Sequence, residues 1–557
     1  MTERIWLSSY PPGVPADIDA SIYGSLVELM EESFRQHAAA VAYSFMGQDL
    51  SYAQTDTLSL AFAAYLQSLG LAKGDRVAIM MPNVPQYPVA VAGILRAGMV
   101  LVNVNPLYTP RELEHQLKDS GARAIVIVEN FAGTLEKCIA ATAVKHVVLC
   151  AMGDQLGLLK GALVNYVVRS VKKLVPPFSL PQAVRFNQAI ALGAKAPFSR
   201  PALKSDDVAA LQYTGGTTGV AKGAVLLHRN VLANVLQSEA WNAPVMARVP
   251  ASEQPTSICA LPLYHIFAFT VGLMLSLRTG SKLVLIPNPR DIPAVLKELG
   301  RHTFHSFPAV NTLFNALASH PEFETVDWSH LKVSVGGGTA VQSAVAKLWL
   351  EKTGCPICEG YGLSETSPSA SCNPATSSEY TGTIGVPLPS TWFKLLDDEG
   401  NEAAPGQPGE IAIKGPQVMA GYWQRPDETA RVMTADGYFK TGDIGVVDAR
   451  GFYKIVDRKK DMILVSGFNV YPAELEDLVG QMPGVMECAC VGIADAKTGE
   501  AVKLVLVRKD PLLTEAQVRA YCKENLTGYK QPRVVEFRDE LPKTPVGKVL
   551  RRELRDK

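Results

Sequence analysis

The chain runs to 557 residues, 47% hydrophobic and 19% charged, too long for one core at roughly 100–200 residues per domain and too apolar to be disordered. Lysine plus arginine equals aspartate plus glutamate at 54 each, so no global field draws the protein to nucleic acid. The nine cysteines are scattered and suit a reducing compartment. Cys355 with Cys358, and His302 with His305, lack the further ligands that zinc needs and read as packing or surface residues.

At the start of the chain, "MTERIWLSSYPPG" lacks the apolar stretch of a signal peptide. The runs "PVAVAGILRAGMVLV" and "IFAFTVGLMLSL" fall short of the ~20 residues that span a bilayer. The expectation is a cytoplasmic protein, soluble or peripheral to the inner face of the cell membrane. From about residue 26 to about 350, helical periodicity alternates with short apolar strands: "RVAIMM", "VLVNV", "AIVIV", "HVVLC", "SKLVLI" and "KVSVGGG". That alternation predicts layered α/β architecture with largely parallel sheets.

Residues 155 to 204 carry eight basic residues and no acidic one. Within them "LLKGALVNYVVRSVKKLV" reads as a helix. Asn165, Arg169 and Lys172 form its narrow polar stripe; Leu159, Leu163, Tyr166, Val167, Val171 and Leu174 form a broad apolar face. Two readings stand, a docked helix with a solvated basic edge or an interfacial segment that meets an anionic membrane. From about 380 to about 456, closely spaced strands and Asp/Gly turns predict hairpins in an antiparallel sheet or small barrel. The charged cluster "DRKKDMI" (457–463) follows, either a solvated turn or a hinge. Roughly a hundred residues of mixed helix and strand remain, enough for a small separate domain.

The segment with the densest chemistry is "YTGGTTGVAKG" (213–223), between the apolar strands "VAALQYT" and "AVLLH". Glycines admit backbone N–H groups to phosphate oxygens, threonines add hydroxyl donors and Lys222 adds charge. It is not a Walker loop, because Lys222 precedes its glycine and the flanks are two strands. Four more segments accompany it: "LPLYHIFAF" with His265, "GYGLSET" with Tyr361 and Glu365, "GYFKTGDIG" with Asp443, and "LPKTPVGKVLRRELR" with Lys548.

In this order and spacing the five segments resemble the adenylate-forming superfamily of acyl-CoA synthetases, peptide-synthetase adenylation domains and luciferases. The resemblance covers essentially the whole chain. It extends to the bacterial long-chain fatty-acid–CoA ligases through "NVNPLYTPRELEHQLKDSGA", "DGYFKTGDIGVVDARGFYKIVDRKK" and "DMILVSGFNVYP". It implies a large N-terminal part over 1–457 with layered α/β subdomains and a small antiparallel sheet, a hinge over 458–461 pivoting at Lys460, and a mobile α+β domain over 462–557. It also implies the reaction. A carboxylate displaces pyrophosphate from ATP to give acyl-adenylate, and the thiol of coenzyme A then displaces AMP.

The resemblance assigns roles residue by residue. Tyr213, Thr214, Gly215, Gly216, Thr217, Thr218, Gly219 and Lys222 form the phosphate loop. Glu365 is the Mg2+-associated glutamate. Tyr361 stacks on adenine opposite Gly337 and Gly338, beside Gly362 and Thr366. Asp443 takes the ribose hydroxyls, with Arg458 as its charge partner. Lys548 bridges carboxylate and α-phosphate, and His265 shapes the carboxylate site. Phe269 matches an aromatic gate, and Phe267 and "NTLFNALA" are candidate walls for an acyl tunnel, which needs buried area at about 0.8 kcal/mol per CH₂ more than it needs a motif. Ligases for medium-chain or aryl acids, acyl-AMP ligases that load a carrier protein, and an inactive lipid-binding scaffold remain alternatives. Oligomeric state is open, a homodimer included.

Overall fold

The computed structural model describes residues 4–214, 221–459, 461–466, 468–495, 497–544 and 547–555. The β-branched runs of the first half pair in parallel. Arg76–Met80 lies between Val100–Asn103 and Ala124–Val128, and the latter pairs with His146–Cys150. Their side chains are buried on both faces, the condition under which all-parallel strands occur. This eight-stranded sheet continues from Val100–Asn103 to Val208–Thr214, then antiparallel to Lys222–Leu227 and Gly421–Tyr422.

A nine-stranded sheet forms the second layer. Lys282–Leu285, Thr256–Cys259, Ser306–Ala309, Val333–Gly336 and Ile357–Gly362 run parallel in it. Ser369–Cys372 and Val386–Pro387 extend it antiparallel. Residues of both sheets belong to one apolar core, with the wholly buried helix Gln86–Arg96 and the helix His228–Met246 in it.

Antiparallel pairing takes over where the turns crowd together: Trp392–Leu396, Gly409–Lys414, Phe439–Val447 and Tyr453–Arg458 make a four-stranded sheet. Beyond the charged cluster, a five-stranded sheet with the helices Pro472–Gly480 and Glu515–Asn525 builds its own core around Ile463, Leu475, Leu504 and Val518. A core of its own is what lets such a unit move as a body.

The basic segment is helical over Leu158–Tyr166 and continues as a π turn over Val167–Val171. Two residues of its polar stripe, Asn165 and Arg169, dock it. Asn165 accepts a hydrogen bond from the Gly153 amide, and Gly161 lies so close to the Gly153 carbonyl that a Cβ would sit 2.4 Å from it. Arg169, though 42% exposed, is tied to the body: it makes two hydrogen bonds, 2.7 and 2.9 Å, to the buried carboxylate of Glu129, which Arg185 also holds. The apolar face is left outside, with Leu158 92% and Leu159 91% exposed.

Candidate active site

A cavity of about 1820 Å³ opens past the C-terminal ends of Val208–Thr214, Val333–Gly336 and Ile357–Gly362. Its wall brings together Tyr213, Thr214, Lys222, His265, Phe267, Gly337, Gly338, Tyr361, Gly362, Glu365, Asp443, Arg458 and Lys548, residues spread over more than 300 positions of sequence. Gly215, Gly216, Thr217, Thr218, Gly219 and Lys460 lie outside the described residues. The strand register pairs Thr214 with Lys222, so both ends of the glycine-rich loop are fixed at the cavity rim.

Tyr361, Asp443 and Arg458 form one unit. The Tyr361 hydroxyl donates to Asp443 Oδ2 at 2.6 Å, and Arg458 Nε lies 3.2 Å from Oδ1. Burial, and then the Asp443 carboxylate, push the Tyr361 phenol well above its ordinary range, so it stays a donor. Opposite, Gly337 admits the Phe267 ring where a Cβ would come within 2.9 Å of it, and Gly338 turns at φ +78°. Thr339 follows with a buried hydroxyl that has no partner among the described residues, a group suited to a polar ligand atom.

Glu365 is buried, and its Oε1 accepts from the Tyr422 hydroxyl at 2.8 Å. Burial raises its pKa, so a nearby cation would favour the ionised form. Hard oxygen donors of this kind suit magnesium. Lys222 is paired with Glu428 and lies over the Tyr422 ring. Two assigned residues are committed elsewhere. The Tyr213 hydroxyl donates to Asp119 Oδ2 at 2.7 Å, so Tyr213 anchors its strand and offers no donor to phosphate. Thr366 is wholly buried, its hydroxyl bonded within the 363–368 turn, and it shapes that turn without reaching the cavity.

His265 Nδ1 accepts from the Phe267 amide at 3.3 Å, which leaves Nε2 as the N–H. Loss of water around the ring, and then the Lys548 charge, lower its pKa to about 4, so the ring is neutral. Phe267 lines the cavity. Phe269 does not: it is 1% exposed and its ring packs in the core. Lys548 arrives from the C-terminal domain on a tight loop, in which the Thr544 amide donates to the Lys548 carbonyl at 2.7 Å and the Gly547 amide to the Thr544 carbonyl at 2.9 Å. Gly547 turns at φ +79° and abuts Val310 and Thr312.

Sequence reasoning missed Tyr422, Asp119 and Glu428, whose contacts span long stretches of chain. It also missed a cluster of Glu253, His305 and His330 at the opposite ends of the parallel strands. There the Thr256 amide donates to His305 Nδ1, so Nε2 carries the proton and donates to Glu253 at 2.9 Å. That tautomer makes the cluster a hydrogen-bonded closure.

The comparisons with known proteins agree with this geometry. Residues 30–423 match the AMP-binding enzyme family, and residues 474–548 match the AMP-binding enzyme C-terminal domain. The long-chain-fatty-acid–CoA ligase of Escherichia coli O157:H7 is 55% identical over 100% of this chain and 98% of its own length. That of Bacillus subtilis (strain 168) is 36% identical over 99% and 98%. An anthranilate CoA ligase in complex with anthranoyl-AMP superposes with a TM-score of 0.84 at 25% identity, covering 96% of this chain and 98% of that one. ATP-bound MatB from Rhodopseudomonas palustris gives 0.80 at 29% identity and its apo form 0.72, each covering 95% of this chain and 98% of the other. The chain therefore belongs to the AMP-binding enzyme family of adenylate-forming enzymes, and its activity is the ATP-dependent ligation of a long-chain fatty acid to coenzyme A through an acyl-adenylate.

Proposed function

We propose that the residues at this cavity divide the two half-reactions by domain position. In the first, ATP lies with adenine between Tyr361 and the Gly337–Gly338 edge and its ribose hydroxyls on the free lone pairs of Asp443. The segment from Thr214 to Lys222 meets the β- and γ-phosphates, and Lys222 exchanges Glu428 for phosphate. Glu365 would hold magnesium, which when bound supplies charge neutralisation on the phosphate oxygens. The main need of this step is to bring two anions together in line, so positioned positive charge does most of the work. Lys548 supplies it between the carboxylate and the α-phosphate. The neutral His265 presents Nε2–H at the carboxylate side, and Phe267 walls the start of the acyl chain. In the second half-reaction the C-terminal domain turns about residues 458–461 and withdraws Lys548.

One observation carries this reading: Lys548 lies in the same cavity as His265, with Gly547 wedged against Val310 and Thr312. The closer superposition on ATP-bound than on apo MatB supports an adenylating arrangement of the domains. The test is Lys548→Ala assayed on each half-reaction. Acyl-AMP formation should fall by orders of magnitude while thioester formation from supplied acyl-AMP largely survives; equal loss in both would remove the role.

The helix at Leu158 is read as a peripheral membrane contact. Its exposed leucines share one segment with Lys172 and Lys173, both exposed, and such a combination suits an anionic lipid surface. No helix among the described residues is long and apolar enough to cross a bilayer.

A further inference from the structure

Glu359 stands on the strand Ile357–Gly362, two residues before Tyr361 and thus on the same side of it. It is a buried carboxyl on the wall of the same cavity, and none of the roles assigned above falls to it. Its Oε1 accepts from the Val341 amide at 3.1 Å, and its Oε2 lies 3.1 Å from the Tyr380 hydroxyl. That hydroxyl is 2.5 Å from the Val341 carbonyl. A phenol has one hydrogen to give, and the shorter contact is to the carbonyl, which can only accept. Tyr380 therefore has no hydrogen left for Glu359, and two oxygens meet at 3.1 Å in a buried site. The contact is a hydrogen bond only if the carboxyl carries the proton.

We propose that Glu359 is a positioning residue that works as a neutral acid, donating to Tyr380 so that Tyr380 can donate to Val341 and pin the 337–343 segment at the nucleotide end of the cavity. Val341 is then held at both its amide and its carbonyl. The next residue is fixed as well, the Gln342 amide donating to Asn311 Oδ1 at 3.0 Å. When Glu359 gives its proton to solvent, the carboxylate draws the Tyr380 hydrogen to itself and the Val341 carbonyl loses its donor. One proton leaves, and one hydrogen bond changes acceptor.

The surroundings favour the acid form. Burial is the largest influence and raises the pKa to about 7 against the opposing pull of the Val341 amide and Tyr380. Two charges face the group from other elements: Asp477 on the helix Pro472–Gly480, which raises it, and Lys454 on the strand Tyr453–Arg458, which lowers it. Cys372 on the neighbouring strand is a neutral thiol, its own pKa pushed up to about 12 by burial. Because the folded pKa lies above the ordinary carboxyl value, the pinned state is fully present below the ordinary value and is lost as pH rises through about 7. Asp477 belongs to the mobile domain and touches the segment directly, accepting from the Ser343 hydroxyl at 3.1 Å. Rotation of that domain would remove the carboxylate that favours the proton.

The proposal rests on the nucleotide placement given above, and two measurements on the full chain separate their failures. Infrared difference spectra of wild type minus Glu359→Gln should show a protonated-carboxyl C=O band at pH 6 that disappears with a midpoint near neutrality. Its absence at pH 6 overturns the proposal whatever binds nearby. The KM for ATP should rise about fivefold in wild type from pH 6 to 8.5, the worth of roughly one hydrogen bond. In Glu359→Gln, whose amide can both accept from Val341 and donate to Tyr380, KM should stay near the acid-limb value throughout. Tyr380→Phe, which removes the relay hydroxyl, should show the raised KM at every pH. Identical pH profiles for wild type and Glu359→Gln overturn the positioning role. A band that titrates as expected, with KM for the fatty acid moving in place of KM for ATP, overturns the nucleotide placement.

Discussion

Gly547 shows how much of the account turns on single positions. Its φ of +79° lies in the left-handed region that favours glycine, and a Cβ there would lie 2.7 Å from the Thr312 hydroxyl. Gly547→Ala should therefore push the Lys548 loop out of the cavity, cutting acyl-AMP formation by about tenfold or more, the worth of ~1–3 kcal/mol of local strain. Thioester formation from supplied acyl-AMP needs the loop withdrawn and should be unaffected; a variant with full adenylation rate would show that the loop tolerates the side chain. The sequence made Lys548, Glu365, Asp443 and Tyr361 legible because each sits in a local pattern of glycines and polar residues. Glu359 was legible in principle, since strand alternation puts it on the side of Tyr361, but nothing local says that a carboxyl there meets Tyr380. Tyr213 and Thr366 show what a local pattern leaves out. They lie inside the right motifs, yet their hydroxyls are taken by Asp119 and by the 363–368 turn.

At the scale of the element, the hairpin Val208–Leu227 and the helix at Leu158 make the contrast. The hairpin was readable from two apolar runs about a glycine loop, and its Thr214–Lys222 register follows from pairing alone. Helical periodicity found both faces of the other segment but could not tell which one points inward. Glu129 decides it: a carboxyl only 2% exposed needs its charge met, and Arg169 and Arg185 meet it, turning the Asn165–Arg169 side toward the body. The membrane test should accordingly leave Arg169 intact, since its loss would undock the helix. Lys172→Gln with Lys173→Gln should weaken co-sedimentation with anionic vesicles about thirtyfold at low salt, from ~1 kcal/mol per cation. Turnover of soluble shorter acids should not change. Equal co-sedimentation of parent and variant would show that these lysines do not anchor it.

At the largest scale, Asp457 of the N-terminal part meets two groups of the C-terminal domain, and the proposed rotation would break both contacts. Asp457 Oδ2 accepts from the Ala473 amide at 2.9 Å and Oδ1 lies 3.6 Å from Arg551, which is also bonded to Glu476 at 2.7 and 2.9 Å. Burial raises the Asp457 pKa to about 6, with Arg551 opposing. The proposed hinge over 458–461, flanked by such contacts, would favour two discrete positions over continuous drift. The large layered part, the antiparallel sheet and the separate C-terminal core were legible from texture and length. The placement of Lys548 in the cavity was not, because it depends on where one body rests on the other. If this cavity joins a long-chain acid to coenzyme A through an adenylate, AMP release measured over a series of acids will show it. AMP should appear only with ATP, acid and coenzyme A together. Its kcat/KM should climb about fourfold for each methylene that the tunnel buries, at ~0.8 kcal/mol each, so that palmitate far exceeds octanoate. A profile that is flat from octanoate to palmitate, or AMP release that persists without coenzyme A, would contradict the account.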